Sequence, residues 1–228
     1  MGDHVAVVIP AYNEARTIEG VIRGLGAKGF TSIIVVDDGS TDRTGELAGR
    51  LGTTVVRHIL NRGLGGALGT GLRAALRLRP EIIVTFDADG QHDPDDIRQL
   101  LGPIEQGEAE VVIGSRMLAP AGMPWSRRLA NRIATLATYL LFGVYSTDSQ
   151  SGLRAFSRDA AARIKIGSSG MEVSSEIISE IVRNRLRWKE VQAKAIYTDY
   201  SLSKGQSFRV GLRTTMKLIL ARLRRSFP

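Results

Sequence analysis

Ile82-Ile83-Val84-Thr85-Phe86-Asp87-Ala88-Asp89-Gly90-Gln91-His92-Asp93-Pro94 is the stretch on which the reading turns. Its opening run is β-branched and apolar without alternation, which predicts a strand buried on both faces and ending at Phe86. Two carboxylates, Asp87 and Asp89, follow where the chain leaves the sheet, so both can reach one hard cation, and Gln91 adds a third oxygen. The competing reading is a plain polar turn. The next helix, however, has its own start signal in Asp93 as cap, Pro94 in the first turn, and Asp95 and Asp96 at the positive end of the dipole. Asp87 and Asp89 are thereby left without a structural task. His92 beside them reads either as a contact to a ligand or as a polar loop residue.

The same grammar repeats on both sides of this stretch. Strands are expected at residues 5–9, 33–36, 54–59 and 111–113, with helices near 15–25, 41–51, 65–78 and 94–104. Strand–helix alternation predicts an α/β fold with a mostly parallel central sheet flanked by helices, binding its ligands beyond the carboxyl ends of the strands. The second half is less regular. It reads as a long helix at 124–142, a polar segment at 146–154, helices at 157–164 and 173–185, a strand at 189–196, and a glycine-bearing loop leading into a terminal helix. With no repeat, low-complexity tract or linker, the expectation is one domain over residues 1–228, in three parts at 1–115, 116–205 and a basic amphipathic helix at 206–228.

Composition narrows the chemistry. The 228 residues are 43% hydrophobic, enough for a core without crosslinks, and the absence of cysteine excludes disulfides, thiolate zinc sites and cysteine nucleophiles. The net charge of +8 is unevenly spread. Lys204, Arg209, Arg213, Lys217, Arg222, Arg224 and Arg225 follow residue 200 with no acidic residue among them, and Arg127, Arg128 and Arg132 form a second group. Such a field favours polyanions, either anionic lipid or phosphorylated substrates, unless it is simply a solvated face. Nucleic acid is not expected, because the aromatics do not interleave with the basic clusters as a stacking platform requires. No apolar run reaches the roughly 20 residues of a membrane span, and the opening residues lack a signal-peptide pattern. A cytoplasmic protein is expected, and any contact it makes with a membrane is peripheral, at the surface.

Two further stretches place polar residues at strand ends. Ile9-Pro10-Ala11-Tyr12-Asn13-Glu14 offers a stiffened exit at Pro10, a stacking face at Tyr12 and a carboxylate at Glu14; Val35-Val36-Asp37-Asp38-Gly39-Ser40-Thr41-Asp42 repeats strand, carboxylates and cap. Either alone is ordinary turn chemistry. Gly63-Leu64-Gly65-Gly66-Ala67-Leu68 fails the dinucleotide fingerprint at its third glycine, so its glycines allow a close approach by a phosphate or by another part of the chain.

Taken together and in order, residues 10–14, 37–42 and 87–91 resemble the donor site of family 2 glycosyltransferases. Within that family the chain is most similar to dolichyl-phosphate mannose synthase and the polyprenyl-phosphate glucosyltransferases. Asn61-Arg62-Gly63-Leu64-Gly65-Gly66-Ala67, Gly114-Ser115-Arg116 and residues 148–156 extend the likeness over nearly the whole chain. The resemblance implies a GT-A type nucleotide-binding fold and an inverting, metal-dependent transfer of mannose or glucose from a GDP- or UDP-sugar to a polyprenyl (dolichyl-type) phosphate.

On that resemblance, Pro10, Ala11, Tyr12, Glu14, Asp37, Asp38, Arg62, Gly63, Asp87, Ala88 and Asp89 bind the donor, and Asp87, Asp89 and Gln91 hold Mg²⁺ or Mn²⁺. Arg116, Arg127, Asn131, Ser151, Arg154 and Lys204 meet the acceptor phosphate, with Asp89, Arg116 and Asp148 as the catalytic set. An ionised acceptor phosphate needs orientation more than a base, whereas a saccharide or glycolipid hydroxyl would need one, and Asp148 is then the candidate. A nucleotide-sugar-binding protein without transfer activity is the alternative of another class. The late loop Lys204-Gly205-Gln206-Ser207-Phe208 departs from the family's usual Arg-x-x-Gly-Glu-Ser-Lys.

Two apolar stripes remain. Phe208, Leu212, Met216, Ile219 and Leu223 recur at helical spacing near the end, and Leu129, Ile133, Leu136 and Leu140 do so in the long helix. Each stripe either packs on the domain or lies against a membrane, and the pattern is the same in both cases.

Overall fold

The computed structural model describes residues 4–120, 123 and 125–196. The expected terminal helix and Lys204 lie outside the described residues. The first strand, β1 (Val5–Ala11), shows why the run carries no polar alternation. Val5, Val7 and Ile9 enter one core, while Ala6 and Val8 enter another on the opposite face.

The chain continues through α1 (Ile18–Ala27), β2 (Ser32–Asp37), α2 (Thr44–Arg50), β3 (Thr54–Arg57), α3 (Gly63–Arg77), β4 (Ile82–Thr85), α4 (Ile97–Glu105) and β5 (Val111–Ser115). The described residues go on through α5 (Trp125–Phe142), β6 (Arg154–Ser157), α6 (Arg158–Arg163), α7 (Val173–Arg183) and β7 (Trp188–Gln192). The seven strands form one sheet in the order β3-β2-β1-β4-β6-β5-β7. Ile18, Val21, Ile22 and Leu25 of α1 and Ile97, Leu100 and Leu101 of α4 cover one face of it. Leu68 and Leu72 of α3, Ala160 and Ala161 of α6, and Ile177, Ile178 and Ile181 of α7 cover the other. A methyl group on Gly71 would stand 2.2 Å from Val8 Cγ1, so α3 lies directly on β1.

The mostly parallel sheet is as expected, but β6 is not among the predicted strands. It is antiparallel to both β4 and β5 and fills the gap between them, pairing Arg154 with Thr85 and Ile113. Four residues beginning with an arginine carry no periodic signal. Tertiary pairing decides instead, because β6 satisfies the facing backbone groups of two neighbours while Ala155 and Phe156 enter opposite cores. Its direction has a consequence for the site. An antiparallel strand brings its amino end to the edge where β1, β2, β4 and β5 end, so the polar segment before Arg154 arrives beside Asp87. The predicted third strand is also shorter than expected: it stops at Arg57, leaving Ile59 98% and Leu60 76% exposed at that rim.

Candidate active site

The exits of β1 and β2 are laced together by side chains. Asn13, with φ of 54°, donates its N–H to Ser40 Oγ at 3.0 Å and accepts the Thr41 N–H on Oδ1 at 2.9 Å. Glu14 N–H donates to Thr44 Oγ1 at 2.8 Å. Tyr12 is 45% exposed, its ring open to a ligand.

Asp37 and Asp38 are both buried and turn inward. Asp37 Oδ1 accepts the Ser40 N–H at 2.9 Å, and a Cβ on Gly45 would stand 2.4 Å from its Oδ2. Asp38 accepts the N–H groups of Arg62 and Gly63 at 2.9 and 2.8 Å and meets His58 Nδ1 at 2.6 Å; His58 Nε2 in turn reaches Thr70 Oγ1 at 3.0 Å. Both carboxylates thus hold the loops at this edge of the sheet, and Asp38 fixes the start of α3. The glycines there serve chain packing. A Cβ on Gly63 or Gly65 would stand 2.1 Å from the carbonyl oxygen of Ser169 or Ser168 respectively.

Beyond β4 the two carboxylates are shifted in opposite directions. Burial pushes the Asp87 carboxyl up, but the hydrogen bond from His92 at 2.9 Å and the charges of His92, Arg116 and Arg154 outweigh it, and the net direction is down. Asp89 is pushed up by burial and by the like charge of Asp87. Asp89, partly buried beside a like charge, would gain from a divalent cation shared with Asp87. No cluster of three or more His, Cys, Asp or Glu side chains exists among the described residues. Asp87 and Asp89 fit an ion of the Mg²⁺ or Mn²⁺ kind, which keeps water and substrate phosphate in its other positions. Gln91, expected as a third ligand, is engaged within the protein: its Nε2 donates to Asp89 Oδ2 at 2.5 Å, and its Oε1 accepts Arg127 Nη1 at 3.2 Å.

The segment that follows β5 closes around Asp148, which is 0% exposed. Arg116 grips it with Nε to Oδ2 at 2.7 Å, Nη2 to Oδ1 at 2.9 Å and its backbone N–H at 3.1 Å, and Asn131 Nδ2 adds a bond at 2.6 Å. Burial pushes this carboxyl up; the Arg116 charge and these hydrogen bonds pull it further down. In this arrangement all the hydrogen bonds of the Asp148 carboxylate run to Arg116 and Asn131, so the proton-accepting role expected of it toward a hydroxyl acceptor would require those bonds to be exchanged.

Two other residues expected to meet the acceptor phosphate are buried within the protein. Ser151 is buried, and its hydroxyl donates to Gly114 O at 2.6 Å. Arg154 is 1% exposed, with Nη2 on Ser149 O at 2.9 Å. Burial lowers its pKa to about 10, partly offset by Asp87 and Asp148. Its charge acts from beneath the site.

The long helix α5 is turned inside out. Its hydroxyls face the protein: Thr135 Oγ1 meets Asn131 Oδ1 at 3.3 Å, and Thr138 Oγ1 meets Ser175 Oγ of α7 at 2.8 Å. Its apolar stripe faces away. Trp125 is 76% exposed, and Leu129, Ile133, Leu136, Tyr139 and Leu140 are exposed with it. From the polar side the same helix sends Arg127 to Gln91 and Asn131 to Asp148. No helix among the described residues is long and apolar enough to cross a membrane.

A sequence profile described as glycosyl transferase family 2 matches residues 6–165, the segment that holds every strand exit described above except that of β7. The chain belongs to glycosyl transferase family 2. This glycosyltransferase is 36% identical to the UDP-N-acetylglucosamine–dolichyl-phosphate N-acetylglucosaminyltransferase of Methanococcus voltae, over 96% of each chain. It is 46% identical to an uncharacterized protein of Methanocaldococcus jannaschii, over 97% of this chain and 93% of that one. Among solved structures, glucosyl-3-phosphoglycerate synthase from Mycobacterium tuberculosis superposes with a TM-score of 0.74 at 24% identity, covering 98% of this chain and 80% of that one. The glycosyltransferase has the GT-A fold that the strand-end motifs led one to expect.

Some of its polar residues escaped the sequence reading. His58 and Glu190 have no motif around them. Glu190 takes the Ser146 hydroxyl at 2.6 Å and the Thr147 N–H at 2.9 Å, pinning the segment that leads to Asp148. The only signal was a carboxylate inside a predicted strand.

Proposed function

We propose that this glycosyltransferase moves a hexosyl unit from a nucleoside diphosphate sugar to a polyprenyl phosphate at a membrane surface. The observation that carries this reading is the inside-out helix α5. One helix presents an apolar stripe outward and sends Arg127 and Asn131 inward to the site. A long hydrocarbon chain lying along the stripe would deliver its phosphate beside those two residues and Arg116. Arginine suits that task, since its planar fork takes two phosphate oxygens at once.

Asp87 and Asp89 would hold Mg²⁺ or Mn²⁺, which when bound neutralises charge shed onto the departing diphosphate. Tyr12 offers its exposed ring to the base, while Asp37 and Asp38 keep the donor rim in shape. The acceptor phosphate is ionised near neutral pH, so attack needs no proton acceptor, in keeping with the saturation of Asp148. The Methanococcus voltae relative supports the lipid phosphate as acceptor and makes UDP-N-acetylglucosamine a donor to test beside UDP-glucose and GDP-mannose. The anionic surface of a membrane is a further partner on this reading, through Arg128 and Arg132 beside the stripe.

The test incubates purified protein with Mn²⁺ or Mg²⁺, each radiolabelled donor and a polyprenyl phosphate in detergent. Label in the organic phase, lost on omitting the cation, is the expected result. Label appearing only on a water-soluble acceptor would overturn the lipid assignment.

A further inference from the structure

His92 is 3% exposed, with its ring edge-on to Phe86 at a centroid distance of 5.5 Å. Its Nε2 lies 2.9 Å from Asp87 Oδ2, while its Nδ1 is buried with no hydrogen-bond partner. As packing alone this is a poor choice. A phenyl ring would fill the same space against Phe86 without stranding a ring nitrogen. The satisfied nitrogen is the one that meets Asp87.

We propose that His92 is a positioning residue for the cation site: it fixes the orientation in which Asp87 presents its carboxylate to a divalent ion. The proposal rests on the reading of Asp87 and Asp89 as cation ligands. An aspartate carboxylate rotates broadly about its last torsion, so a ligand not held from outside loses freedom when an ion binds. Asp87 is held from two sides. The His92 ring engages Oδ2, and the Gly152 backbone lies so close that a Cβ there would stand 2.1 and 2.3 Å from the two oxygens. Oδ1 is left for the ion. The histidine is itself fixed, since its backbone bridges to Ala195 and the Ile196 N–H donates to Gln91 O at 2.8 Å. Outer partners of this kind commonly carry about 10–100-fold in metal affinity.

The test compares His92→Gln, His92→Asn and His92→Phe in the full chain. Glutamine carries its amide nitrogen about as far from Cα as Nε2, whereas asparagine stops at the place of Nδ1. Mn²⁺ binding in the presence of UDP is followed by the electron paramagnetic resonance of free Mn²⁺, and the thermal midpoint is recorded without metal. Asparagine and phenylalanine are expected to weaken Mn²⁺ binding by about 10–100-fold. Glutamine is expected to stay near the parent, and the phenylalanine variant to keep its metal-free midpoint. Parent-like Mn²⁺ affinity for His92→Phe, or equal losses for glutamine and asparagine, would overturn the assignment. Asp89→Ala is the control: if it binds Mn²⁺ with UDP as the parent does, the cation site itself fails and takes the His92 role with it.

Discussion

Arg116 and Asp148 form a two-pronged ion pair, 2.7 Å from Nε to Oδ2 and 2.9 Å from Nη2 to Oδ1, with the carboxylate closed to solvent and the arginine 18% exposed. The pair joins the end of β5 to the segment that precedes β6, so it ties those two parts of the site together. Removing one partner leaves the other charge without its match in a poorly solvated place. Asp148→Asn should destabilise the fold by about 3–5 kcal/mol in urea unfolding. A parent-like midpoint with activity abolished would instead indicate a chemical role.

The same pair predicts a pH signature. The folded pKa of Asp148 lies below its unfolded value, so its contribution to stability is complete above the unfolded value, near 3.9, and is lost as pH falls through the folded one. The stability gap between the parent and Asp148→Asn should therefore be widest at neutral pH and narrow below about pH 4. Unfolding titrations from pH 7 to pH 2.5 check this, and a gap that widens on acidification contradicts it.

Asp89 stands beside Asp87 with its carboxyl raised by burial and like charge. Asp89→Ala should relieve that repulsion and leave the fold standing while transfer falls by about 10³-fold, the worth of several kcal/mol of charge stabilisation. Product formation at saturating donor and cation, read beside the thermal midpoint, gives the answer.

Gly152 has no space for a side chain. A methyl group there would stand 2.1 Å from Asp87 Oδ2, so Gly152→Ala must displace either the carboxylate or the loop. Overpacking of this kind costs about 1–3 kcal/mol, and the cation concentration for half-maximal activity should rise. An unchanged cation dependence would show that Asp87 does not need its present position.

Leu136 is 55% exposed on the outer face of α5. Leu136→Glu should change stability by no more than about 0.5 kcal/mol, because the side chain is already in water. Sedimentation with vesicles containing anionic lipid should nevertheless fall several-fold, since the apolar stripe would be interrupted. Undiminished sedimentation would remove α5 from the membrane contact.

What the sequence by itself determined is what neighbouring residues settle among themselves. Strands buried on both faces announce themselves by unbroken apolar runs, and the carboxylates after Ile9, Val36 and Phe86 lie at strand exits because so few residues separate them from the strand. Tertiary structure alone decided the rest. Arg154 and Asp148 read as site-facing polar residues, yet β6 pairs between β4 and β5 and buries Arg154, while Arg116 and Asn131 close over Asp148 in the segment before it. Asp38 is paired with His58, twenty positions away, across a contact with no local pattern. The stripe on α5 was legible as a stripe, but periodicity defines two opposite faces without saying which one meets the protein. That was settled by Thr138 against Ser175 and Asn131 against Asp148, hydroxyl and amide contacts that turn the polar side inward and leave the leucines outside.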